Sequence, residues 1–492
     1  MASRLLHVGS MSQSLGIYVP AKVLTKALAL ARMLLCVHLL SKPQYALWLM
    51  AAMVIDVGSL VLSLGTGQSL ARYTAGIARA GRLRALLARA GTTALLIALS
   101  LAAAAGAAWQ WIGRTFILAD AAGASVPDQQ LMVLTLAAIG CATLTVLWWM
   151  LCSVLYGLRT YLLLSVLELQ FAAAFIPFTF GLLAVEPTAA MTLGAYAASM
   201  GLALLVGLLA LPSAIGTLDG RTPSGPAVPE PGPVGLWRFF RYGLGSLGGL
   251  LAWKLAMYVG LYLAKATLPE SEAAVFGALL TLSTMALLLG DASWTVVFTH
   301  AAGAGRQGRQ QAISAFKRIA LGLLTLSVLV YLGSPLWIRI LPGGYAPGAE
   351  LLAGLLTMSQ SAVHLGLLLI LCRLDERPWA HGLAGLAGAG AIWGLYRFAF
   401  STGSGPLSLA CGLGMYAAGL TVAGMYFLLS RARLGPGGWL VLASPLILLA
   451  PRLGTLLGWA GLVLLLVAAR QIRLPYPGRQ RLEQADPPPA DR

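Results

Sequence analysis

The sequence predicts an all-α polytopic membrane protein, on three observations. Hydrophobic residues make up 59% of the 492 and charged residues only 10%, whereas an ordinary soluble domain is about 25% charged. Mean hydropathy is +0.82. Apolar runs of about 20 residues, enough to cross roughly 30 Å of hydrocarbon as a helix, recur along most of the chain. A water-soluble globule, a disordered chain and a collagen-like chain are thereby excluded. Helices are preferred to a barrel because the runs are long and apolar throughout, without strict alternation.

In order, the predicted spans are 16–40, 46–69, 91–113, 131–155, 161–185 and 190–212. A polar linker follows from Ser213 to Pro233, with Pro223, Pro226, Pro229, Pro231 and Pro233. Spans resume at 241–266, 273–299, 319–341, 349–371, 378–398, 407–430, 437–450 and 453–469, which makes about 14. The last two are short and split only by Pro451-Arg452, so 12 or 13 also fit. The expected domains are an N-lobe of six helices (1–212), a Pro-rich cytoplasmic linker (213–240), a C-lobe of six helices (241–430), a terminal helix pair (431–470) and a disordered cytoplasmic tail (471–492). A faint internal repeat fits this division. Leu40–Tyr45 and a basic loop near Arg82 open the first half, and Lys265–Phe276 and a basic loop near Arg306 open the second. Parallel repeats of this kind build transporters whose site lies between the lobes.

The net charge is +17, from 33 Lys and Arg against 16 Asp and Glu. With the N-terminus placed in the cytoplasm, 23 of the 33 fall in cytoplasmic segments and six in external loops (Lys42, Arg114, Lys265, Arg339, Arg397 and Arg452). The excess obeys the positive-inside rule and points to anionic membrane lipids as partners, not nucleic acid. Both termini are expected in the cytoplasm. Residues 1–16 lack a cleavable secretory pattern, so the first span is expected to serve as an uncleaved insertion signal.

The five cysteines (Cys36, Cys141, Cys152, Cys372 and Cys411) sit in apolar runs without a CxxC pair, and are expected as core residues. No metal site or cofactor is expected. The chain has no Gly-Lys dipeptide and so no phosphate-binding GxxxxGK[ST] loop, and it lacks HExxH and GxSxG. No catalytic residue is assigned: a transporter is expected, not an enzyme. A membrane polymerase or ligase would want a long external loop bearing catalytic groups, and none is visible.

Ionisable residues inside the spans are the candidate site, because each costs at least about 2.5–3.5 kcal/mol in mid-bilayer and demands a partner or a wet cavity. The first span carries Lys22, Lys26 and Arg32. At 100° per residue these fall within an arc of roughly 120°, spread over about 15 Å of depth. Asp56 lies in the second span, Lys254 in the first helix of the second half, Asp291 in the next, and Glu168 in the fifth span. Lys22, Lys26, Arg32 and Lys254 are the expected binding cations; Asp56, Asp291 and Glu168 are the expected ion-coupling or ion-pairing groups. If the first two spans form a hairpin about residue 43, Asp56 comes within a turn of Arg32. A structural pair there and a protonation site both fit. Lys22 and Arg32 could also snorkel to opposite surfaces, and Glu168 has no evident partner.

One stretch resembles a known family. Leu40-Ser41-Lys42-Pro43-Gln44-Tyr45-Ala46-Leu47-Trp48 resembles the L-S-x-x-E-Y-G-L-W turn after the first helix of polysaccharide exporters. Gly65-Thr-Gly-Gln-Ser-Leu-Ala-Arg-Tyr73 resembles the G-x-x-x-A-L-x-R-Y end of their second helix, and the basic loop follows as it does there. Gln44 replaces the usual acid and Ala46 the usual Gly, and the second-half motif is blurred. The chain is thus similar to the lipid-linked oligosaccharide flippases of the multidrug/oligosaccharidyl-lipid/polysaccharide (MOP) exporter superfamily. The resemblance implies a V-shaped bundle with a cationic central cavity, lined by the first two helices of each lobe. It implies an inner-membrane flippase for undecaprenyl-pyrophosphate-linked oligosaccharide, with a polysaccharide polymerase and a chain-length regulator as partners. An ion-coupled multidrug or other lipid exporter is the alternative within the superfamily.

Overall fold

Apolar length sets the helices of this chain, and a few polar or conformationally free residues set their ends. The computed structural model describes residues 11–75, 77, 80–118, 126–216, 235–284, 349–374, 379–399, 403–430 and 442–452, together with 296–297, 313 and parts of 319–341. The first helix, α1 (Met11–Leu39), runs through Pro20. Ser41, in extended conformation, caps α2 (Lys42–Ser63), and Pro43 occupies its first turn, where a missing N–H costs nothing. Leu64 adopts a left-handed conformation, its N–H bonding Val61 O, and ends α2. Gly65, with φ 71°, turns the chain into α3 (Thr66–Ala75). The second predicted span is therefore a broken helix.

Next come α4 (Gly81–Ala107, with a π turn at Leu87–Gly91), α5 (Asp128–Gly157), α6 (Tyr161–Val185) and α7 (Ala189–Gly216). The predicted linker begins later than expected, because α7 continues past Pro212 to Gly216; residues 217–234 lie outside the described residues. The second half contains α8 (Leu236–Thr267), α9 (Glu270–Ser283), α10 (Ala349–Leu374), α11 (Trp379–Gly394) and α12 (Ser404–Ser430). The described part of predicted span 437–450 is mainly a 3-10 helix, Ser444–Arg452, which contains Pro445 and Pro451. Span 453–469 and the tail lie outside the described residues. Among the described residues there is no strand, and six helices are long and apolar enough to cross a membrane. The protein is a multi-pass membrane protein.

Within the first half, α1 lies along α6, α7 packs on α5 and α6, and α2 and α3 pack on α5. Within the second, α8 packs on α11 and α10 on α12. Small residues let backbones approach there: Gly382 of α11 faces Gly248 of α8, and a Cβ on Gly385 would overlap the Ala252 backbone. The small residues this close approach requires are those of α11, Gly385 above all.

The halves meet along one seam, α2 and α3 against α8 and α9. At one end, Leu49 fills the space beside Gly277. At the other, a Cβ on Gly65 would overlap the Gly243 carbonyl oxygen. Beside that contact Ser69 Oγ donates to Phe239 O at 2.7 Å, and the Arg72 guanidinium lies 4.4 Å from the centre of the Tyr242 ring. The second exporter-like motif therefore supplies the groups that touch the second half.

Candidate functional site

Among the described residues, the ionic groups well inside the helices gather into two clusters, one inside the first half and one on the seam. The inner cluster starts from α1. One turn separates Tyr18 from Lys22, so both project from the same face. That face lies against α6, which supplies Glu168, and near the end of α5, which supplies Tyr156. Lys22 Nζ sits 2.7 Å from Glu168 Oε1, with the two side chains 18% and 10% exposed. Tyr18 OH donates to the same oxygen at 3.0 Å and Tyr156 OH at 3.4 Å. The two phenols also stand within hydrogen-bond distance of each other, so the Tyr156 proton is shared between Tyr18 and Glu168. Glu168 Oε2 is buried without a partner. Lys22 does not snorkel: its ammonium is satisfied inside the bundle. Glu168, for which no partner was evident in the sequence, has three donors on one oxygen.

The seam cluster joins the halves. Lys254 Nζ of α8 lies 2.7 Å from Asp56 Oδ2 of α2. Tyr258 OH, one turn along α8, donates to the same oxygen at 2.6 Å. The Asp56 and Lys254 side chains are 33% and 30% exposed, so this mid-helix pair is reachable from outside the packed core. Lys26 is within electrostatic reach of Asp56. Arg32 stacks its guanidinium 4.4 Å from the centre of the Phe175 ring of α6. Tyr196 of α7 packs edge-on to Phe175 and holds Thr145 Oγ1 at 2.9 Å. Arg32, Phe175 and Tyr196 thus share one neighbourhood.

Of the two readings held open for Asp56, the structural pair with Arg32 is not the one the structure shows. Asp56 bonds Lys254, not Arg32. The hairpin at residue 43 does form, but α1 and α2 touch only sparsely because α1 leans on α6. Asp56 consequently faces the other half, and Arg32 finds an aromatic face. Arg32 has no carboxylate partner among the described residues. Asp291 lies outside the described residues, as does the basic loop near Arg306. Lys265, assigned by sequence to an external loop, is buried at the end of α8 and paired with Glu270 at 2.9 Å.

Sequence reasoning missed the tyrosines. The signal was present: Tyr18-Lys22 and Lys254-Tyr258 both have the four-residue spacing that puts a phenol beside an ammonium on one helix face. Counting the described groups, four cations (Lys22, Lys26, Arg32 and Lys254) meet two carboxylates (Asp56 and Glu168). The arrangement has a surplus of positive charge and can hold anionic oxygens. Among the described residues no cluster of His, Cys, Asp and Glu could hold a metal ion.

No family model matches the chain, and no curated protein does. Solved structures do. A MOP superfamily transporter from Pyrococcus furiosus superposes with a TM-score of 0.64 at 15% identity, over 88% of this chain and 97% of that one. A mutant of the Vibrio cholerae MATE transporter VcmN gives 0.62 at 13% identity, over 86% and 98%. An outward-facing multidrug resistance transporter of the MATE family gives 0.61 at 13%, over 88% and 99%. The chain has the fold of these MATE-type transporters. At these identities the likeness is one of fold, and chemistry has to be argued from the site.

Proposed function

We propose that this protein is an inner-membrane exporter that flips undecaprenyl-pyrophosphate-linked oligosaccharide repeat units from the cytoplasmic to the periplasmic leaflet, for exopolysaccharide, O-antigen or capsule synthesis. The observation that carries the reading is that, among the described residues, Lys254 on the seam and Lys26 and Arg32 on the neighbouring α1 gather near one carboxylate, Asp56. Lys26, Arg32 and Lys254 would replace the lost hydration of the pyrophosphate with charge-assisted hydrogen bonds. The oligosaccharide would ride in a water-filled space between the lobes while the polyprenyl tail stays in lipid. Rocking of one lobe on the other, with both termini cytoplasmic, would expose the sugar to the periplasm. A polymerase and a chain-length regulator would act on the product there.

Two observations bear on the choice of substrate. The P. furiosus neighbour is described as having a binding pocket of reversed polarity that suggests a different function, so pockets of more than one polarity occur on this fold. The outward-facing neighbour is a multidrug resistance transporter, which favours a second reading: an ion-coupled drug or lipid exporter. A cationic drug would meet Lys26, Arg32 and Lys254 as like charges, which argues for the anionic substrate.

The test is Lys26→Ala with Lys254→Ala in the native host, with membrane levels confirmed and surface polysaccharide measured. Export should fall at least about tenfold, as expected when two charge-assisted contacts are lost. Unchanged export would sink the cationic-seam mechanism. Intact polysaccharide together with new drug sensitivity would select the multidrug reading.

A further inference from the structure

Asp56, like Glu168, gathers its donors on one oxygen. Both donors that α8 offers, Lys254 Nζ at 2.7 Å and Tyr258 OH at 2.6 Å, converge on Oδ2. They stand one helical turn apart on one face, a pre-set fork for a single anionic oxygen. The acceptor comes from the other half of the molecule, 198 residues away from Lys254 in sequence. The pair is also about one-third exposed, in contrast to the Lys22–Glu168 pair, which is closed in by Tyr18 and Tyr156. A sealed pair serves packing; an open one admits competition.

We propose that Asp56 is an internal stand-in for the ligand's phosphate: it occupies the fork of Lys254 and Tyr258 that an incoming phosphate oxygen takes, so loading the site and unlatching the halves are one exchange. This rests on the anionic-substrate reading above and deepens it. A phosphate oxygen matches the carboxylate oxygen in charge and in acceptor capacity, so the ammonium never loses its counter-charge during the swap. A neutral or cationic molecule cannot make the exchange and leaves the latch shut. Once displaced, Asp56 no longer ties α2 to α8, which frees the middle of the seam. Among the described seam contacts the others, Leu49 against Gly277, Gly65 against Gly243, Ser69 on Phe239 O and Arg72 on the Tyr242 ring, are packing, a neutral hydrogen bond and a cation–π contact, none of them a carboxylate–ammonium pair.

The ligand chemistry is that of a phosphate group, which a lipid-linked pyrophosphate or a phospholipid headgroup can supply. The full chain is placed in nanodiscs of zwitterionic lipid and titrated calorimetrically with inorganic pyrophosphate. Asp56→Asn keeps the side chain's shape but removes the competing charge. It should bind pyrophosphate about tenfold more tightly than the native protein, and Tyr258→Phe several-fold more weakly. Both variants should melt as single cooperative species, which separates the exchange from a loss of fold. Equal or weaker pyrophosphate binding by folded Asp56→Asn overturns the proposal, because Asp56 is then no competitor. Unaltered binding by folded Tyr258→Phe overturns the fork. Repeating the titration in discs containing anionic phospholipid identifies the source: a headgroup that takes the fork weakens pyrophosphate binding, most in Asp56→Asn. Tighter binding in Asp56→Asn that a purified lipid-linked oligosaccharide fails to compete away would uphold the exchange while sinking the export reading.

Discussion

Lys22 and Glu168 show what a buried charge requires of its surroundings. Each alone in a helix bundle would carry a large desolvation cost; together with Tyr18 and Tyr156 they form a small neutral network. Removing one partner of such a pair typically costs about 3–5 kcal/mol, because the other is left buried and unpaired. Glu168→Ala should therefore lower the thermal midpoint sharply. Lys22→Met combined with Glu168→Leu should recover most of the loss, since two apolar side chains leave no charge stranded. A melting series on the purified protein in detergent checks both, and additive losses in the double variant would show that the two residues act separately. Arg32 depends on an aromatic face instead. Phe175→Leu should cost about 0.5–2 kcal/mol through the lost cation–π contact, and Arg32→Lys less, as the ammonium still finds the ring. The Tyr-Lys spacing of four residues was readable in the sequence at both clusters. Their carboxylate partners were not, because they lie on other helices.

At the scale of the element, the break between α2 and α3 is the feature with most consequence. A straight helix through 46–69 would keep its far end within the first half. Leu64 and Gly65 instead redirect the chain so that Ser69, Arg72 and Tyr73 reach α8. Gly65 is held there twice, by φ 71° and by the carbonyl of Gly243. Gly65→Ala should destabilise by about 1–3 kcal/mol, the usual cost of a strained backbone position. Gly248→Ala, with open space around its Cβ position, should be silent in the same melting assay, and equal effects from the two would contradict this account of the seam. The exporter-like motifs gain a physical meaning here. Gln44 Oε1 accepts the Ala189 N–H at the start of α7, a capping role that an acid at this position would also fill. The departure from the family pattern at Gln44 thus keeps the contact while dropping the charge.

For the whole molecule, the packing of two halves along α2, α3, α8 and α9 makes a seam that carries both small-residue contacts and an ion pair. Cys36, Cys141, Cys152 and Cys411 are buried, so none of the four should react with a membrane-impermeant maleimide in the folded protein, a prediction mass spectrometry of the labelled protein checks. Rapid modification of any would mean that the bundle opens more widely than the seam requires. The helical, membrane-spanning character of the chain was determined by the sequence alone, since apolar run length and the absence of alternation are local properties that neighbours do not alter. The same holds for the concentration of charge on the first helices of each half. Helix packing alone decided which charge meets which. Glu168 lies 146 residues from Lys22 and Asp56 lies 198 from Lys254, and at such separations pairing depends on which helix faces touch. A lean of α1 toward α6 was enough to give Asp56 to the second half and Arg32 to a phenyl ring.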